Sequence, residues 1–89
     1  MNISLILRTN TIKCLSDRKM SQIELAVASG LHESVISRLL SGKREFNGYH
    51  IQQIAKAFNL SVTNLMYYPI EIVIAQKVNN QLIFNLGDL

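Results

Sequence analysis

The sequence predicts a mainly α fold in which five short helices are followed by a C-terminal β-hairpin. Three observations support this prediction. Apolar residues recur at three- and four-residue intervals through most of the first 68 positions, as they do on the buried face of a helix. Serines suited to begin a helix and glycines suited to end one separate these segments. After Pro69 the composition changes to β-branched residues interrupted by two asparagines, which favours two strands joined by a tight turn.

Length and composition indicate a single small domain. The chain of 89 residues can bury one modest core, and its 48% hydrophobic and 17% charged residues argue against a disordered polypeptide. Arg8 interrupts the apolar run near the N-terminus, so neither a signal peptide nor a membrane-spanning helix is expected. Cys14 has no second cysteine with which to pair, which fits a reducing cytoplasm. We therefore expect a globular, cytoplasmic protein.

Positive charge is concentrated in the helical part of the chain. Residues 1–69 contain eight Lys or Arg against four Asp or Glu, whereas residues 70–89 contain one against two. The helical segment therefore carries the excess that leaves the whole chain with a net charge of +3. A polyanionic partner would be attracted to the helices rather than to the C-terminal segment.

The first two predicted helices span residues 3–17 and 22–29. In the first, apolar residues recur loosely at helical spacing, and a polar stretch at residues 9–11 interrupts their pattern. Before the second, Ser21 and Glu24 have the spacing of a capping box, in which each side chain accepts a hydrogen bond from the backbone N–H of the other residue. Gly30 can adopt the left-handed conformation that ends a helix, and the following Leu31 is expected to point into the core.

Three more helices are predicted before Pro69. One runs from residue 32 to residue 40 and ends at Gly42, another glycine suited to a helix C-terminus. The next shows the i, i+3, i+4, i+7 pattern of a buried face from Ile51 to Phe58. Ser61 can cap the last and shortest helix.

Residues 70–89 are predicted to form the β-hairpin, with Asn79 and Asn80 in a two-residue turn. This register places apolar residues on both faces of the hairpin. A two-stranded hairpin is marginally stable in water, so one that is apolar on both faces needs two covers. We expect the helices to cover one face and a second copy of the chain to cover the other, and the pattern leaves open which face forms the dimer interface. The residues expected at this interface are Ile72, Ile74, Val78, Ile83 and Phe84.

The helix at residues 32–40 has a polar side and an apolar side. At 100° per residue, its polar side chains occupy an arc of roughly 140° opposite the apolar ones. The members of this arc are Glu33, Ser34, Ser37, Arg38 and Ser41. Serines form its centre, and their short side chains leave room for another surface. A helix in the DNA major groove needs such small residues beside longer donors and acceptors, so Arg38 could bind guanine and Glu33 could accept from cytosine.

The segment SQIELAVASGLHESVISRLLSGKR resembles the helix-turn-helix of the phage Cro/CI repressor family, also called the XRE family. HIQQIAKAFNLSVTNLM resembles the two closing helices of that family. The similarity covers roughly residues 3–67 and includes Gln22, Leu25, Ala26, Gly30, Ile36, Gly42, Ile54, Ala55 and Leu65. It implies a five-helix Cro/CI-type helix-turn-helix domain at residues 1–69, to which residues 70–89 add a dimerisation hairpin outside the shared motif.

The resemblance also implies a function and roles for individual residues. We expect a sequence-specific transcriptional repressor that binds double-stranded operator DNA as a homodimer on an inverted repeat, without a cofactor. The residues placed to read bases are His32, Glu33, Ser34, Ser37 and Arg38. The residues expected to approach phosphates are Gln22, Ser21, Ser41, Lys43 and Arg44.

Other interpretations remain open at this point. A helix-turn-helix protein of this size could be an antitoxin that binds its own operator and neutralises a toxin protein. An enzyme is not expected, because no nucleophile lies beside a base and no glycine loop could bind phosphate. The two histidines lack the spacing of metal ligands. The serine arc could be an ordinary solvated face, Cys14 is expected to be a buried hydrophobe, His50 is expected to face solvent, and the three tyrosines are expected to pack.

Overall fold

A computed structural model describes residues 2–68, which form five α-helices. The helices are α1 (Ile3–Arg18), α2 (Gln22–Ser29), α3 (Glu33–Ser41), α4 (Gly48–Ala57) and α5 (Val62–Met66). This result confirms the mainly α fold and the number of helices predicted for this part of the chain. The predicted hairpin, with its proposed interface residues Ile72, Ile74, Val78, Ile83 and Phe84, lies outside the described residues.

One hydrophobic core joins all five helices. α2 packs on α3 and α4, while α1 packs on α3 and α5, and α4 also contacts α5. The largest side chains with no exposed surface are Phe58, Leu7, Leu25, Ile36, Leu39, Ile54 and Leu65. The core therefore reaches from the first helix to the last, and it holds α2 and α3 as one unit.

α1 is continuous through the polar stretch at residues 9–11, which interrupts only the apolar pattern. Asn10 is buried, and its Nδ2 donates hydrogen bonds to the backbone oxygens of Leu65 and Met66 at 2.9 and 2.7 Å. These two carbonyls belong to the end of α5, where no further helical turn can satisfy them. The neighbouring Thr11 is fully buried, and its hydroxyl has no hydrogen-bond partner within the described part of the chain. Asn10 thus joins the first helix to the last.

Cys14 and the three tyrosines divide between buried and exposed positions. Cys14 is fully buried, as expected, and burial raises the pKa of its thiol above the ordinary value. Tyr68 is also buried, and its hydroxyl donates a hydrogen bond to Asp17 Oδ2 at 2.9 Å. The packing role expected for Tyr49 and Tyr67 is wrong, because both side chains are largely exposed.

Candidate nucleic-acid interface

A three-residue turn, Gly30 to His32, connects α2 to α3. Gly30 has a φ of 75°, and its N–H donates to the Ala26 oxygen at 3.0 Å, which ends α2 as predicted. An added Cβ would meet nothing closer than 4.0 Å, so backbone conformation rather than space favours glycine here. Leu31 is buried, as its sequence position suggested. The turn therefore combines a left-handed glycine with an apolar anchor.

Side chains on both sides of this turn fix its geometry. The hydroxyl of Ser29 accepts the Leu31 N–H at 3.2 Å and donates to the Ala26 oxygen at 3.3 Å. Gln53 reaches across from α4, and its Nε2 donates to the Ser29 oxygen at 2.9 Å. The sequence gives no local sign of this role for Gln53, because its partner lies 24 positions away. These bonds hold α2 and α3 at a set angle against α4.

The polar residues predicted to form a DNA-reading surface lie on the outward side of α3. Glu33, Ser37, Arg38 and Ser41 are exposed, and Ser34 is half-buried. On the opposite side, Ile36 and Leu39 are fully buried. The predicted division of this helix into polar and apolar arcs is therefore present, and a partner surface could approach the serines closely.

The beginning of α3 differs from the sequence prediction in one detail. His32 does not start the helix but caps it, because its Nδ1 accepts the Ser34 N–H at 3.1 Å. The same ring nitrogen lies 2.9 Å from the Ser34 hydroxyl. His32 is exposed, and the cap orients its ring at the first turn of the helix. Only the second ring nitrogen, Nε2, is left for a DNA contact.

Basic residues lie at the end of α3 and in the loop that follows. Gly42 ends the helix with a φ of 84°, as predicted. The N–H groups of Lys43 and Arg44 then bond to the Arg38 oxygen at 3.0 and 3.2 Å. Lys43 and Arg44 are exposed, and their charges complement the negative end of the helix dipole. The Ser41 hydroxyl donates to the same Arg38 oxygen at 3.3 Å, so in this rotamer it has no proton to offer a phosphate.

Arg8 supports the end of α3 from α1. Its Nε donates to the Leu39 oxygen at 3.1 Å, and its guanidinium carbon lies 3.4 Å from where a Cβ on Gly42 would be. The sequence showed Arg8 only as a charge that interrupts an apolar run. A charged residue within an apolar run was the only local indication that the side chain at this position makes a polar contact. A side chain at position 42 would strain the backbone, because φ is positive, and its Cβ would lie in van der Waals contact with this guanidinium.

The N-terminus of α2 presents Ser21 and Gln22. The predicted capping box is present, since the Ser21 hydroxyl accepts the Glu24 N–H at 3.0 Å and Glu24 Oε1 accepts the Ser21 N–H at 2.8 Å. Gln22 is the first residue of the helix, and its side chain is exposed. The positive end of a helix dipole favours an anion such as phosphate, although Glu24 offsets part of this field. The Ser21 hydroxyl keeps its own proton for donation.

His50 fixes the far end of the loop between α3 and α4, and its expected exposure to solvent is wrong. Its side chain is buried, with Nδ1 accepting the Asn47 N–H at 3.1 Å, while Asn47 Oδ1 accepts the His50 N–H at 2.8 Å. Burial, and secondarily the charge of Arg44, lowers the pKa of His50 below its ordinary value. The neutral ring thus anchors the loop that carries Lys43 and Arg44.

This arrangement makes stability depend on pH. The lowered pKa means that the unfolded chain takes up a proton below about pH 6.5, while the folded chain resists it. The free energy of unfolding should therefore fall as the pH drops from 7.5 towards 5.5. A His50→Gln variant, whose amide oxygen can replace Nδ1 in the capping box, should lose this part of the pH dependence. Urea titrations at several pH values measure it, and a His32→Asn variant should retain it. An unchanged slope in His50→Gln contradicts the assignment.

Charge pairing is sparse in the described residues. The one ion pair among residues 2–68 joins Lys13 Nζ to Asp17 Oδ1 at 3.0 Å on α1. In this part of the chain no carboxylate lies within ion-pair distance of Arg38, Lys43 or Arg44, so their charges are available to an anionic partner. No group of three His, Cys, Asp or Glu side chains in residues 2–68 could hold a metal ion. None of the five helices is long and apolar enough to cross a membrane.

Comparison with known proteins agrees with this geometry. A family model described as Helix-turn-helix, HTH_3, matches residues 14–65, which is more than half of the chain. The match includes α2, the turn, α3 and α4 in full. Comparisons with curated proteins and with solved structures returned no match. The tight turn, the exposed polar side of α3 and this match together show that the chain belongs to the XRE/Cro/CI-type helix-turn-helix family, whose domain binds DNA.

Proposed function

We propose that this protein is a sequence-specific transcriptional repressor that binds an inverted-repeat operator as a homodimer. The observation that carries the proposal is the outward side of α3, where Arg38 extends from a surface of small serines and has no carboxylate partner within residues 2–68. Hydrogen bonds in the turn before α3 and the Arg8 contact with its last turn support this surface.

The groups on α3 divide into base readers and phosphate contacts. Arg38 has the fork of donors that matches the two acceptors of guanine in the major groove. Glu33 can accept from the amino group of cytosine, and the half-buried Ser34 and exposed Ser37 keep the intervening surface low. His32 can contribute Nε2 at the edge of this surface. These five residues form the proposed reading surface.

Phosphate contacts are proposed on both sides of the reading surface. Gln22 and Ser21 lie at the N-terminus of α2, where side-chain and backbone donors point out of the helix. Lys43 and Arg44 follow the C-terminus of α3 and supply two charges. Ser41 is the weakest member of the proposed set, because its hydroxyl already donates to the Arg38 oxygen.

Dimerisation follows from the size of the reading surface. One α3 can reach only a few base pairs, and each correct pair contributes roughly 1–3 kcal/mol of discrimination. Two copies related by a twofold axis double the number of pairs read, provided that the operator has the same symmetry. The apolar segment 70–89 is the proposed dimerisation element.

The proposed function is tested by selecting bound duplexes from a random library. The winning duplex is then compared with a scrambled one by fluorescence anisotropy at several salt concentrations. We expect a palindrome with half-sites about one helical turn apart, bound at least about 10³-fold more tightly than scrambled DNA. Weak, salt-sensitive binding without a recovered motif would overturn the proposal.

Removing residues 70–89 is expected to convert the dimer to a monomer. All residues of the proposed dimer interface lie in this segment, so without it the helices of two copies should have no stable contact with each other. Light scattering at a fixed protein concentration measures the mass, and circular dichroism verifies that the helices are retained. A shortened chain that keeps the dimer mass contradicts this role for the segment.

An antitoxin is a second candidate, favoured by a separate apolar surface on α2. Ile23 and Val27 lie one turn apart on this helix, and both are more than half exposed. Together with Gly30 and Glu33 they line a shallow groove beside the reading helix. A toxin protein could bind such a surface. Coexpression with the product of a neighbouring gene tests this role: relief of growth arrest supports it, and Val27→Asp should abolish the relief.

A further inference from the structure

We propose that the outer face of α1 is the docking surface for the C-terminal segment, residues 70–89, of the same chain. The inference rests on the dimeric function proposed above, in which this segment has one face on the helices and one on the partner. The new element of the inference is the identity of the helix that the segment covers, which is α1. Four side chains define the outer face of α1: Leu5, Thr9, Ile12 and Ser16.

The outer face of α1 is an exposed and uncharged stripe. At 100° per residue its four members fall within about 60° of one another, on the side opposite the buried Leu7 and Cys14. Leu5 and Ile12 are 52% and 47% exposed although both are large and apolar. The polar members, Thr9 and Ser16, carry no charge that would resist burial. A helix face in contact only with water would normally hold charged residues here.

The described chain ends beside α1. Tyr68, its last residue, is buried and donates to Asp17 on α1 at 2.9 Å. Burial and this hydrogen bond raise the pKa of Tyr68 to about 12, so the phenol keeps the proton that makes the contact. Asn10 on α1 also holds the end of α5. The described chain therefore ends in contact with α1, the helix that carries the outer face.

Length and composition suit the C-terminal segment to this face. α1 has 16 residues and so extends roughly 24 Å. Two strands at residues 70–78 and 81–86 would extend roughly 30 and 20 Å, which matches the helix. The segment has apolar residues on both predicted faces, and its single Lys and two acidic residues leave most positions uncharged. A strand pair laid along α1 would cover Leu5 and Ile12 together.

The exposed surface of α2 is a poorer candidate for the same segment. Val27 is 80% exposed, but α2 packs on α3 and α4, whereas α5 packs on α1 and α4. Val27 also lines the groove that includes Glu33 of the reading helix. A segment docked there would border the proposed DNA surface. Val27 is therefore a matched control, an exposed apolar position that the proposal leaves uncovered.

Cysteine labelling of the full-length chain tests the proposal. The chain has one natural cysteine, Cys14, which is fully buried and whose pKa is raised by burial, so it should react slowly. Ile12→Cys and Val27→Cys each add one thiol, and an aromatic disulfide reagent measures its reaction rate. We expect the Ile12→Cys thiol to react at least about tenfold more slowly than the Val27→Cys thiol, because access limits the reaction. Leu5→Cys repeats the test at a second position, and circular dichroism verifies folding.

The concentration dependence of the rate identifies the occupant. Protection at position 12 that persists when the protein is diluted below its dimer dissociation constant supports docking of the same chain. Equal rates at positions 12 and 27 would overturn the proposal, as would protection that disappears on dilution, because a second copy would then be the cover. The labelling rates are independent of DNA, so a failed operator selection and a failed docking surface give different results.

Discussion

Replacing Phe58 with alanine is expected to lower the free energy of unfolding by about 3–5 kcal/mol. The side chain has no exposed surface and lies where α4 ends and the chain turns toward α5. The guanidinium of Arg18 lies over the ring, 5.3 Å from its centroid, and the same side chain donates to the Phe58 oxygen. Alanine would leave a cavity in the middle of the core and remove the surface on which Arg18 rests.

Urea denaturation followed by circular dichroism measures this change. Tyr49→Ala is the matched control, since it removes an aromatic ring near the other end of α4 at a position that is 59% exposed, and should change stability by no more than about 0.5 kcal/mol. Small domains are marginally stable, so Phe58→Ala could unfold outright and Phe58→Leu would then supply a smaller, measurable loss. Similar small losses for Phe58→Leu and Tyr49→Ala would contradict the central position of Phe58.

Local chemistry made the helix boundaries predictable. The Ser21 and Glu24 capping box needs only residues three positions apart, and both of its hydrogen bonds are present. Gly30 and Gly42 end their helices with positive φ, as expected from the absence of a Cβ. These features depend on neighbours in the chain, and a sequence displays neighbours directly.

Contacts between distant residues were not predictable in the same way. His50 pairs with Asn47 only three positions away, but its burial depends on the core that surrounds it, whereas its position on the helix suggested solvent. Asn10 was only an interruption of an apolar pattern until its partners, 55 and 56 positions away, were known. Arg8 is similar, with its partner 31 positions away. Asn10 and Arg8 are thus each explained by a tertiary partner, and His50 by its burial in the core.

In the candidate site, some features were predictable from the sequence and others were not. Helical periodicity alone predicted which side of α3 faces outward, because 100° per residue separates Arg38 from Ile36 whatever surrounds them. Periodicity could not show that the Ser41 hydroxyl already donates to the Arg38 oxygen. Nor could it show that His32 caps the helix. The surface was therefore predictable, and the donors still available on it were not.

Replacing Arg38 with alanine is expected to abolish most of the preference for one base pair in each half-site. A bidentate contact with guanine is worth roughly 1–3 kcal/mol, and a homodimer loses it twice, so operator binding should weaken by about 2–6 kcal/mol. This corresponds to a loss between about 30-fold and about 10⁴-fold. Binding to scrambled DNA should change far less, because it depends on phosphate contacts. Stability should be unaffected, since the side chain is exposed and the bonds at this position use its backbone oxygen.

Two matched variants separate base reading from charge. Lys43→Ala removes a charge from the adjacent loop, so it should weaken operator and scrambled DNA alike and lower the salt slope by about one per copy. Arg38→Lys keeps the charge but loses the planar fork, so it should retain binding to scrambled DNA while discriminating poorly at the same base pair. If Arg38→Ala and Lys43→Ala instead weaken both DNAs equally, Arg38 contacts only the backbone. The reading surface would then have to be sought in Glu33 and the serines, where a duplex selection with Ser37→Ala would show whether any base preference changes.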